Sequence, residues 1–208
     1  MKKKAICLLL ASALVLALAA CGAKKLTGDE AWNALKSAEK LHLTGDLDDV
    51  NTFSDILADG YIVGRVQEKG LIDSSMAVSV DGKEEFYYKF VTSGEIMEGK
   101  VGTTYGCFDM DGSCLGYMQL RFGSGTSRYA FLDADGNEKG CYLDDNLTTL
   151  TDSRGEIIGS VEAKLDSMLT HAFHVTVTTS SSSIDYIDKL AIYWCAVTEL
   201  NSDYSYLT

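Results

Sequence analysis

Ile184-Asp-Tyr-Ile-Asp-Lys-Leu-Ala-Ile-Tyr-Trp-Cys-Ala-Val-Thr-Glu-Leu200 decides how the rest of the chain must fold. From Leu190 to Val197 no side chain is polar except at the tips of Tyr193 and Trp194. A helix turns about 100° per residue, so such a run presents apolar surface in every direction and has to be enclosed. At about 1.5 Å per residue it spans roughly 12 Å, well short of a ~30 Å hydrocarbon layer, so protein must enclose it. Ser182 and Ser183 are candidate N-caps, and Asp185 and Asp188 fall in the first turn, where the helix dipole favours negative charge. A short apolar run also fits a strand buried on both faces; the length of the stretch and its acidic start favour a helix. Full burial is expected for Leu190, Ile192, Tyr193, Trp194 and Val197, at about 1.5 to 3 kcal/mol each.

The enclosing material is β-structure. Met118, Leu120 and Phe122 alternate with Tyr117, Gln119 and Arg121; Val161, Ala163 and Leu165 with Ser160, Glu162 and Lys164; Phe173, Val175 and Val177 with His174, Thr176 and Thr178. A period of two marks half-buried antiparallel strands. About eleven candidates fall in 61–179, with 96–101 and 104–109 as separate strands. Between them Asp109-Met-Asp-Gly112, Asp133-Ala-Asp-Gly136 and Asp152-Ser-Arg-Gly155 recur, each followed by a second glycine at Gly116, Gly140 or Gly159. Asp opens a hairpin by bonding backbone amides, and the first glycine takes the left-handed position of a three-residue loop. Ser79-Val-Asp-Gly82 is a degenerate copy. The second glycines mark either bulges or places where the buried helix comes close. The uneven offsets between copies exclude a propeller or solenoid, and a meander closing on itself remains.

Ahead of this β-domain, Thr27-Gly-Asp-Glu30 reads as a capping box, with Trp32, Leu35, Ala38 and Leu41 as the apolar stripe of a short amphipathic helix that Gly45 stops. The stripe pads the core or holds a partner, the former being favoured. Gly45-Asp-Leu-Asp-Asp-Val50 reads as an acidic linker. At the N-terminus Lys2, Lys3 and Lys4 precede an apolar run and Leu18-Ala-Ala-Cys21, the layout of a secretory signal. The organisation expected is therefore a signal peptide at 1–20, an anchor, short helix and linker at 21–60, and a β-domain at 61–208.

The ending Leu18-Ala-Ala-Cys21 resembles the lipobox of bacterial lipoproteins. That resemblance implies cleavage before Cys21 and acylation of Cys21, with palmitate among the chains, so that the bilayer is a partner and the protein sits lipid-anchored on the extracytoplasmic face of the cell membrane. Cleavage removes three of the 18 basic residues and none of the 30 acidic ones, leaving a charge of −15. Such a surface repels phosphate backbones, and nucleic acid is not expected as a partner. The strand, Asp-x-x-Gly turn, strand pattern closed by an apolar C-terminal helix resembles the tubby-like barrel of tubby, phospholipid scramblase and LURP-one proteins. That family implies twelve strands around a central helix. No basic cluster matches the phosphoinositide pocket of tubby and no Cys-rich segment matches scramblases, so lipid handling does not carry over.

No constellation in the sequence announces catalysis. The Asp-x-Asp-Gly turns place glycine at position 4, whereas a calcium-binding EF-hand loop needs it at position 6. His171 and His174 are spaced for two ligands on a helix face, but the flanking Phe173-Val-Thr-Val reads as a strand, which sends them to opposite faces. His42 is assigned to the first helix. No Gly-x-Ser-x-Gly elbow occurs, and Ser180 to Ser183 connects to the last helix. Cys107, Cys114, Cys141 and Cys195 are expected as mostly buried free thiols, with Cys114 opposite Phe108 and Cys107 opposite Leu115. The expectation is a mainly β, non-catalytic binding or structural module without cofactor or metal, serving an envelope protein or small ligand. The alternative is a metal-dependent hydrolase centred on His171 and His174.

Overall fold

The computed structural model describes residues 22–46, 53–69, 75–91, 101–122, 127–166 and 172–205. A short helix α1 (Gly28–Ser37) precedes twelve strands and a long helix α2 (Tyr186–Ser205). The strands are β1 (Lys40–Asp46), β2 (Phe53–Ala58), β3 (Tyr61–Lys69), β4 (Ser75–Val80), β5 (Lys83–Val91), β6 (Val101–Asp109), β7 (Cys114–Phe122), β8 (Ser127–Leu132), β9 (Glu138–Asp144), β10 (Thr149–Asp152), β11 (Ile157–Leu165) and β12 (Ala172–Thr179). Each pairs antiparallel with its sequence neighbours. β1 also pairs with β12, Leu41 opposite Val177 and Leu43 opposite Val175, closing the sheet into a barrel without an edge.

On β12 the alternation read from sequence is the alternation of burial, whereas on β7 Gln119 is buried and Phe122 exposed, and on β11 Ala163 is exposed. Phe173, Val175 and Val177 are buried, while His174 and Thr176 between them are half-buried on the outer face. Inside the barrel runs α2. Trp194 meets Phe90 of β5 and Tyr105 of β6 at ring-centre distances of 5.2 and 5.4 Å. Tyr193 lies 6.4 Å from the Phe173 ring of β12 and donates a 3.0 Å hydrogen bond to Ser54 Oγ of β2. Those strands form opposite walls of the ring, so a helix that touches both occupies the bore. Every residue from Leu190 to Ala196 is buried, and Val197, expected to be fully enclosed, is half-buried. Among the described residues no buried side-chain nitrogen or oxygen lacks a hydrogen bond.

Several expectations are corrected. The first helix ends at Ser37 rather than running through Leu41, because Ala38 turns to φ −57°, ψ 127°. Leu41 and Leu43 then face inward with His42 between them, a period of two that the helical spacing of Trp32, Leu35, Ala38 and Leu41 hid. The linker reading of Gly45 to Val50 fails at Gly45 and Asp46, which end β1; the remaining four lie outside the described residues. The barrel therefore starts at Lys40, not at residue 61. Thr27 makes no side-chain cap; the Gly28 amide instead donates to Asp81 Oδ2 at 3.0 Å. The strand expected at 104–109 begins already at Val101; of the strand expected at 96–101, residues 96–100 lie outside the described residues.

The glycine turns hold as read. Gly112, Gly136 and Gly155 have φ of 86°, 83° and 84°. The degenerate copy at Asp81-Gly82 is a two-residue turn with both φ positive, as is Asp59-Gly60 between β2 and β3. Of the two readings left open for the second glycines, bulges are correct. The ladder slips at Leu115 beside Gly116, across 139–141 around Gly140, and at Ile158 beside Gly159. What a side chain at Gly116 or Gly159 would meet is a neighbouring strand's carbonyl, Leu132 or Thr178, not α2.

Two substitutions separate these roles. Gly136→Ala is expected to cost about 1 kcal/mol from backbone conformation alone, since nothing lies within reach of its Cβ. Gly159→Ala is expected to cost more, because its Cβ meets the Thr178 carbonyl and the Thr179 side chain. Urea midpoints check the order, and equal losses would contradict the bulge assignment. Trp194→Ala is expected to cost about 3 to 5 kcal/mol by opening a void at the axis, measured by the same titration.

Candidate functional site

The turn aspartates marked in the sequence are consumed by their own loops. Asp109 Oδ1 accepts the amides of Asp111 and Ser113, Asp133 Oδ1 those of Asp135 and Asn137, and Asp152 Oδ1 those of Arg154 and Glu156, all within 3.0 Å. The Asn137 bonds hold Asp133 below the usual carboxylate range, and the Glu156 amide does the same for Asp152. A fourth such loop escaped the sequence reading. Asp144 Oδ1 accepts the amides of Thr148 and Thr149, but the left-handed position is held by Leu147, at φ 54° and buried. These loops end strands; their carboxylates are not arrayed around a common centre.

A charged cluster lies where α2 enters the barrel. Asp185 Oδ1 accepts the Asp188 amide at 3.0 Å and Asp188 Oδ2 accepts the Asp185 amide at 3.2 Å, a reciprocal capping box. Asp185, not Ser182 or Ser183, is thus the N-cap. Lys139 Nζ of β9 donates to Asp185 Oδ2 and to both oxygens of Asp188, each at 2.9 Å. Burial, reinforced by the Asp185 charge, raises Asp188 to about 7. Burial lowers Lys139, but the Asp188 and Asp185 carboxylates outweigh it and keep the ammonium above its usual value. Lys189, also buried and lowered by desolvation, donates to the Ala38 carbonyl and ties the α1–β1 junction to α2. The Asp-x-x-Asp spacing ahead of the apolar run was the sequence signal for this cap.

The four described cysteines are free thiols; Cys107, Cys141 and Cys195 are buried and Cys114 is half-buried. Cys114 faces Phe108 as expected, whereas the bulge moves Cys107 opposite Gly116 instead of Leu115. Burial pushes Cys107 and Cys141 up to about 12 and Cys195 to about 11, so none supplies a thiolate at neutral pH.

On the outer face the structure assembles a group that the sequence reading separated. His42 is on β1, not in the first helix, and its ring centre is 5.7 Å from that of His174 on β12. His42 Nδ1 is 2.8 Å from Thr176 Oγ1, and His174 Nδ1 is 2.7 Å from Asp166 Oδ1. Glu162 Oε1 lies 3.7 Å from His174 Nε2. Burial lowers the pKa of His42, followed by the charges of His174 and Lys40. His171 and Cys21 lie outside the described residues. Among those described, no three His, Cys, Asp or Glu side chains already converge as a metal centre.

Two surface grooves lie among the described residues. One, of about 300 Å³, runs over β2 to β4 beside the N-terminal segment and is lined by Lys25, Asp55, Ile62, Arg65 and Ser79. Its floor is Gly64, where a side chain would collide with the Ser79 carbonyl. The other, of about 380 Å³, lies between the C-terminal half of α2, the β9–β10 loop and β11, with Leu147, Val161, Ala163 and Leu200 in its walls.

The Lys139 cluster has a pH signature. A carboxyl raised in the folded state contributes stability that is complete below its ordinary value near 3.8 and is lost as pH rises through about 7. Lys139→Met removes the cation that offsets Asp188, so the expected loss is about 3 kcal/mol at pH 8 and markedly less at pH 5, where Asp188 is protonated. Urea titrations of both proteins at the two pH values check this; equal losses would contradict it.

No family model, curated protein or solved structure matches the chain.

Proposed function

We propose that this chain is a lipid-anchored extracytoplasmic protein of the bacterial cell membrane, a non-catalytic module whose outer barrel surface binds an envelope protein or small ligand. Acylated Cys21 would hold it to the bilayer. The observation that carries the reading is Leu18-Ala-Ala-Cys21 together with how soon the body begins. The Ile62 amide donates to the Lys24 carbonyl and the Leu26 amide to the Ile62 carbonyl, at 3.0 and 2.8 Å. Three residues reach about 10 Å, so the tether brings the β3 end of the barrel close to the bilayer. Tyr61, 46% exposed, stands at that end and suits a membrane interface. With α2 filling the bore, recognition falls to the outer face and its grooves. Twelve strands around a central helix also fit the tubby-like architecture, and we place the chain there as a resemblance in fold.

The alternative, a metal-dependent hydrolase on His171 and His174, draws on one observation, the carboxylates of Glu162 and Asp166 beside His174.

Cys21→Ala is expected to move the protein from the membrane fraction to the medium or to an unprocessed precursor, and to abolish incorporation of labelled palmitate. Palmitate incorporated undiminished by the variant would sink the anchor and with it the membrane assignment.

A further inference from the structure

The seam that closes the barrel carries two histidines on its outer face, set one pair apart in the ladder. His42 lies opposite Thr176, and His174 opposite Thr44. On the far side of β12, Glu162 of β11 is also opposite Thr176, so three strands bring His42, His174 and Glu162 to one patch. Their spacing is close to that of ligands around a single ion. Two imidazoles on a tetrahedral ion with metal–nitrogen bonds of about 2.0 Å hold their ring centres about 5 Å apart, and any two ligand atoms about 3.3 Å apart. The ring centres here are 5.7 Å apart, and Glu162 Oε1 is 3.7 Å from His174 Nε2.

The hydrogen bonds behind the rings point the same way. A metal-binding histidine uses one nitrogen on the metal and commits the other to a carboxylate, hydroxyl or carbonyl that fixes ring and tautomer. His174 Nδ1 donates to Asp166 Oδ1, leaving the Nε2 lone pair toward Glu162. His42 Nδ1 is bonded to Thr176 Oγ1, and among the described residues its Nε2 has no hydrogen-bond partner. Only a neutral imidazole coordinates, and burial favours that form of His42. Around the pair stand Lys40 of β1, Lys164 and Glu162 of β11, and Asp166 after it; the two carboxylates offset the two ammonium groups.

We propose that His42, His174 and Glu162 form a surface site for a divalent transition ion of the zinc class, with Asp166 and Thr176 as outer partners and water completing the coordination. Imidazole and carboxylate donors suit such ions. No metal centre is already converged among the described residues, so the ion would draw the side chains inward by rotation while the strand pair stays fixed. Glu162, with 68% of its side chain exposed, is free to move. The site does not depend on the lipid anchor.

The test is calorimetric titration of zinc into the full mature protein at pH 7.5, with His42→Gln, His174→Gln, Glu162→Gln and His171→Gln alongside. One ion per chain with micromolar affinity is expected. The first three variants should each weaken it at least tenfold and His171→Gln should leave it unchanged; Thr176→Val, which removes an outer partner, should weaken it about tenfold. Affinity should fall as the solution is acidified, because only a neutral imidazole coordinates. The ring faces are outward, so near-ultraviolet circular dichroism should show each variant folded. Absence of binding below millimolar zinc would overturn the site, as would binding indifferent to His42→Gln. Binding lost with His171→Gln but kept with His42→Gln would assign the metal to the other pair and refute this one.

Discussion

A helix with no polar face has to be surrounded, and the architecture follows from that requirement. Seven consecutive buried residues of α2 leave no side for water, so the strands must form a ring, and their inward positions must be apolar. The same constraint governs the few polar atoms at the helix entrance. Four amides at a helix start lack internal partners, and here the barrel interior offers no solvent to supply them. Asp185 and Asp188 satisfy part of that demand, but Asp188 carries its carboxyl into a buried place beside the more exposed Asp185, and Lys139 from the wall offsets the pair. Plug and wall are thus joined by packing along the axis and by an ion cluster at one end.

That division gives the barrel two unlike rims. At the rim where α2 enters, the strands are joined by two- and three-residue loops whose aspartates are spent on backbone amides, and α1 packs there through Ala31 and Leu35. At the other, where α2 leaves, inward-facing Phe90 and Phe122 are 44% and 53% exposed and a groove opens beside the helix. The N-terminal segment packs at the first rim, where Lys24 and Leu26 bond to Ile62 at the start of β3.

Most of this was legible where a single period dominated. The enclosed helix and most strands after residue 61 were legible because apolar residues run together or alternate there, and the Asp-x-x-Gly loops carry a chemical reason for each residue, although Gln119 is buried and Phe122 exposed against the pattern of β7. The failure at β1 has an equally physical cause. Ala38 and Leu41 satisfy a helical spacing while Leu41 and Leu43 satisfy a strand, and only pairing with β12 decides between them. Asp59-Gly60 was the overlooked hairpin signal that would have placed β2. The groups on the outer face were less accessible still. His42 and His174 meet only because the first and last strands are neighbours, a fact of closure that no local pattern contains. Leu147, in a position that usually takes glycine, hid a fourth loop for the opposite reason, that packing overrode local preference.

Closure through β1 and β12 also dictates an order of events. β1 is made before the other eleven strands and β12 after the rest, and the plug follows β12. Every strand completed before then belongs to an open sheet with exposed hydrogen-bonding edges and an unfilled apolar lining. Contacts between segments so distant in sequence are slow to form, and the partly built sheet is the species most prone to pair with other chains. The finished ring offers no such edge. Protection from aggregation therefore arrives in one step, once β12 and α2 have both been made, and until that step the chain depends on being kept apart from its own copies.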